Sequence, residues 1–103
     1  MTQIDRIKQM EEYLDVSAAA VEKLSAALDE YEAVQKQLKK LSDYYGSERW
    51  MKDIEADEAG KLPKDLKRGV LSEDAVYDLI IENRELVVRM VRVAASSIEK
   101  DMI

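Results

Sequence analysis

IDRIKQMEEYLDVSAAAVEKLSAALDEYEAVQKQLKKL, residues 4–41, is the stretch that decides the fold. Its apolar residues fall at Ile4, Ile7, Met10, Leu14, Val21, Leu24, Leu28, Tyr31, Val34, Leu38 and Leu41, three or four apart except across Ser17 and Ala18. That is the period of one face of an α-helix. No Gly or Pro interrupts the run, so the spacing predicts one long amphipathic helix over residues 2–44; the alternative is that Asp15 and Ser17 cap a second helix and divide it. About 40 residues at 1.5 Å rise make a rod of roughly 60 Å, too long to hold unless the stripe is packed along most of its length. The small residues Ala18 to Ala20, with Ala26 and Ala27, would let a neighbouring helix approach closely near the middle.

Beyond this helix, Gly46 follows Tyr44 and Tyr45 and suits a left-handed helix end, and Ser47 is placed to cap a short helix over residues 47–58. Trp50, Met51 and Ile54 form its apolar side. Gly60 and Pro63 mark a loop over residues 59–71 in which Leu62, Leu66, Val70 and Leu71 are expected as buried anchors, because a disordered tether seldom carries aliphatics so regularly. A last helix over residues 73–100 has strong start signals. Glu73 and Asp74 favour its positive end, and Leu71 and Val76 stand where a hydrophobic staple would. Its stripe runs through Val76, Leu79, Ile80, Leu86, Val87, Met90, Val91, Ala94 and Ile98, with Asn83 on the same face, either hydrogen-bonded in a seam or at a solvent edge.

The fold expected is therefore all-α and a single domain across residues 1–103. Two long antiparallel helices form a three-helix, bundle-like hairpin with one short helix at the joint, which covers the length the last helix leaves exposed. Glu32 with Lys36 and Glu85 with Arg89 have the i,i+4 spacing of exposed ion pairs, worth a few tenths of a kcal/mol each.

Composition removes whole classes of chemistry. There is no Cys and no His, so disulfides, thiolate nucleophiles, Ser-His-acid triads and the commonest nitrogen ligand for metals are all missing. The net charge of −6 opposes nonspecific binding to nucleic acid or an anionic membrane, and no apolar run approaches the ~20 residues of a membrane span. With charges in place of a signal peptide's apolar stretch at the N-terminus, the expected location is the cytoplasm.

The candidate sites lie at the joint. The acidic run Asp53, Glu55, Asp57 and Glu58 fails the calcium-loop pattern, since counting from Asp53 the sixth and twelfth positions hold Glu58 and Lys64 where Gly and Glu are needed. No metal, no cofactor and no catalytic group is expected. Lys61, Lys64, Lys67 and Arg68 precede a helix start and Gly69, a plausible anion site, yet Glu73 and Asp74 would repel a phosphate there, and the basic loop has the acidic short helix to pair with. Tyr44, Tyr45 and Trp50 bring half of the chain's aromatics into seven residues. The candidate ligand-binding set is Tyr44, Tyr45, Trp50, Asp53, Lys67, Arg68 and Ser72; the plainer alternative is that the rings fill space between helix ends.

The run from Tyr44-Tyr45-Gly46-Ser47-Glu48-Arg49-Trp50 through Gly60-Lys61-Leu62-Pro63 to Arg68-Gly69-Val70-Leu71-Ser72 resembles domain-of-unknown-function family 4298. The likeness extends over nearly the whole chain. It implies a helical fold and a bacterial origin, and the family brings no assigned activity to place on particular residues. The function expected is a noncatalytic interaction module, a coiled-coil-like helical hairpin that forms a homodimer or binds a protein partner, with no nucleic acid and no membrane involved. The alternative is a small-ligand or anion-binding protein, conceivably an enzyme, with its site within residues 44–74.

Overall fold

The computed structural model describes residues 2–101 and contains three α-helices and no strand among them. The helices are α1 (Gln3–Tyr44), α2 (Glu48–Glu58) and α3 (Ala75–Glu99), with a single 3-10 turn at Gly69–Leu71. The all-α class, with two long helices and one short one, is as the sequence indicates. α1 runs unbroken through Asp15 and Ser17. Thr2 starts it: its Oγ1 accepts from the Asp5 amide at 3.1 Å and its carbonyl from the Arg6 amide at 3.0 Å, satisfying donors that an open helix end leaves orphaned.

The chain divides into two units, residues 1–38 and residues 39–103. The first is helical, and none of the side chains of α1 is buried. Ile4, Ile7, Met10, Leu14, Val21, Leu24, Leu28 and Val34, most of the stripe expected to be packed, are exposed, whereas Tyr31, Leu38 and Leu41 are half-buried. In the second unit Gly69–Leu71 touches both α2 and α3. Val76, at the start of α3, is buried at 3% exposure and is the only fully buried apolar residue among those described. Around it Leu41, Val70 and Leu79 line a shared hollow. The rest of the α3 stripe is open: Leu79, Leu86, Val87, Met90, Val91 and Ile98 are exposed, as are the intervening Val88 and Val93.

Three local expectations are corrected. Of the loop anchors, Leu62 and Leu71 are half-buried, whereas Leu66 and Val70 are exposed; at Val70 it is the backbone carbonyl that ties the 3-10 turn to Trp50 of α2. α3 begins at Ala75 and not at residue 73. Ser72 Oγ accepts from the Ala75 amide at 3.2 Å and donates to the Gly69 carbonyl at 2.8 Å, and the Glu73 carbonyl is held by the Tyr45 hydroxyl, so residues 72–74 form a turn before the helix. The i,i+4 ion pairs that form among the described residues are Lys39 with Asp43 and Glu48 with Lys52, not Glu32 with Lys36 or Glu85 with Arg89.

Candidate functional site

The joint begins where α1 stops. Gly46 takes φ +79°, a conformation costly for any residue with a Cβ, and the Ser47 amide closes the turn onto the Tyr44 carbonyl at 2.9 Å. Ser47 then caps α2, its Oγ accepting from the Trp50 amide at 3.2 Å. α2 ends on Gly60 at φ +70°, with the Lys61 amide returning to the Ala56 carbonyl and the Gly60 amide to the Asp57 carbonyl, the paired bonds of a Schellman end. Both stops were visible in the sequence.

Two of the three rings pair, and each of the three has a polar task within the fold. Tyr45 and Trp50 lie tilted at 60° with centroids 4.9 Å apart, a favourable geometry for an aromatic pair. Trp50 Nε1 donates to the Val70 carbonyl at 2.9 Å, tying α2 to the 3-10 turn, and Tyr45 Oη donates to the Glu73 carbonyl at 3.1 Å, tying the end of α1 to the turn before α3. Tyr44 Oη donates to Asp53 Oδ2 at 2.5 Å. Accepting that bond, the carboxylate stabilises the neutral phenol; with lesser help from desolvation and from the negative charge of Asp53, the Tyr44 hydroxyl is pushed up to about 12.

Arg68 is the most heavily used side chain of the joint. Its Nε meets Asp57 Oδ1 at 2.6 Å, its Nη1 donates to the carbonyls of Lys64 (3.1 Å) and Leu66 (2.9 Å), and its Nη2 donates to the carbonyl of Pro63 (2.5 Å). A planar guanidinium is suited to this fork, which gathers the loop around itself and fastens it to α2. The pairing of a basic loop with an acidic helix thus comes down to one half-buried ion pair.

Of the seven candidate residues, six are engaged inside the second unit. Tyr44 is joined to Asp53 and Tyr45 to Trp50, Arg68 is spent on the loop and Asp57, and Ser72 organises the start of α3. Lys67 makes no hydrogen bond or ion pair among the described residues and lines the hollow of Leu41, Val70, Val76 and Leu79. Asp57 is the member that the sequence reading passed over. It stood in the acidic run, but nothing in that run distinguishes it from Glu55 or Glu58 until the loop's curvature sets Arg68 beside it. Among the described residues no three acidic side chains come together as a metal site, and no helix is long and apolar enough to cross a membrane.

A family model described as "Domain of unknown function (DUF4298)" matches residues 7–93. No curated protein and no solved structure matches the chain.

Proposed function

We propose that this chain, which belongs to the domain-of-unknown-function family DUF4298, is a noncatalytic helical interaction module that works through the apolar stripes of its long helices. One observation carries the reading: the stripe of α1 is exposed from Ile4 at 66% to Val34 at 45%, with the half-buried Tyr31 as the exception in that span. Ordering a backbone costs about 1–2 kcal/mol per residue, and each fully buried aliphatic side chain returns about 1.5–3 kcal/mol. α1 orders 42 residues and buries none of them within the chain. A stripe at helical spacing is the form in which helices meet partner helices, and exposed apolar patches of this extent mark interaction surfaces.

The joint supports the same reading from the other side. Its polar groups are spent holding α2, the loop and the start of α3 together, which is the work of a structural cap. Lys67 is left without a hydrogen bond or ion pair among the described residues, and a lone lysine beside an aliphatic hollow is weak ground for a ligand site.

Light scattering of the purified chain combined with amide hydrogen exchange tests the proposal. The expected result is a species heavier than the 11.8 kDa monomer, with exchange protection along α1. A strictly monomeric chain whose α1 amides are nevertheless protected would overturn it, because the stripe would then need no partner.

A further inference from the structure

We draw no further inference here: the strongest candidate, the exposed apolar stripe of α1 through Ile7, Leu14, Val21, Leu24 and Leu28, carries nothing beyond the interaction-module reading, because nothing in the structure shows what covers it.

Discussion

The Tyr44 hydroxyl, in the last turn of α1, donates to the Asp53 carboxylate on α2 over 2.5 Å, across a left-handed Gly46 and the Ser47 cap. It fixes the angle at which the chain leaves one helix and enters the next. It also leaves a signature in alkali. The folded chain holds the phenol neutral up to about 12, against about 10 for a free tyrosine. Its pKa is raised on folding, so the bond's contribution is whole below pH 10 and is lost as pH rises through 12. Tyr44→Phe should therefore cost about 1 kcal/mol at neutral pH, in the range of a single hydrogen bond, and should flatten the stability profile between pH 10 and 12. Urea unfolding at pH 7 and pH 11 measures both; an unchanged alkaline slope in the variant would separate Tyr44 from the effect.

Arg68 to Lys is not a conservative change here. A lysine retains the charge but cannot reach Asp57 and the carbonyls of residues 63, 64 and 66 at once. Arg68→Lys is expected to destabilise the second unit by about 1–3 kcal/mol and to raise amide exchange through residues 61–71, with Asp57→Asn showing a smaller loss. A double-mutant cycle between Arg68 and Asp57 should return a coupling of about 1 kcal/mol, since the pair is half-buried and only partly screened.

The glycines should divide by backbone and not by space, because none of the three has a neighbour within 4 Å of where a Cβ would stand. Gly46→Ala meets only the left-handed penalty of φ +79° and should cost about 1–2 kcal/mol. Gly69 has no such φ, and Gly69→Ala should be neutral or stabilising by up to about 1 kcal/mol through the unfolded chain. Thermal unfolding followed by circular dichroism ranks them; equal effects would argue against the left-handed assignment.

What the sequence made legible and what it did not follow from the range of the forces involved. The helix ends at Gly46 and Gly60 and the Ser47 cap are set by neighbours within five residues, and those positions were readable. The bonds from Trp50 to the Val70 carbonyl and from Tyr45 to the Glu73 carbonyl span 20 and 28 residues and depend on the path of an irregular loop, which no periodicity encodes. The same loop leaves the Leu66 and Val70 side chains exposed, although aliphatic spacing alone suggested buried anchors. The candidate set was drawn from residue types able to bind a ligand. Those same types, tyrosine, aspartate, arginine and serine, also satisfy a loop's own carbonyls and amides, and only geometry separates the two uses.

Leu24 distinguishes a stripe that stays in water from one that is covered. It lies mid-helix in α1 and is 59% exposed in the single chain. Glutamate is as good a helix former as leucine to within a few tenths of a kcal/mol, so Leu24→Glu leaves the propensity of α1 nearly unchanged. Were the stripe always solvated, the substitution would shift stability by no more than about 0.5 kcal/mol, the usual range for surface positions. Because the stripe is proposed to lie against another helix, the expected loss is about 2 kcal/mol or more, with a drop in mass by light scattering, since a carboxylate buried in an apolar seam has no partner there. The control is Glu32, which lies on α1 outside that stripe: Glu32→Gln should leave mass and melting temperature unaltered. The wild-type melting temperature should also rise with protein concentration, as it does when folding is linked to association, and that dependence should vanish in Leu24→Glu.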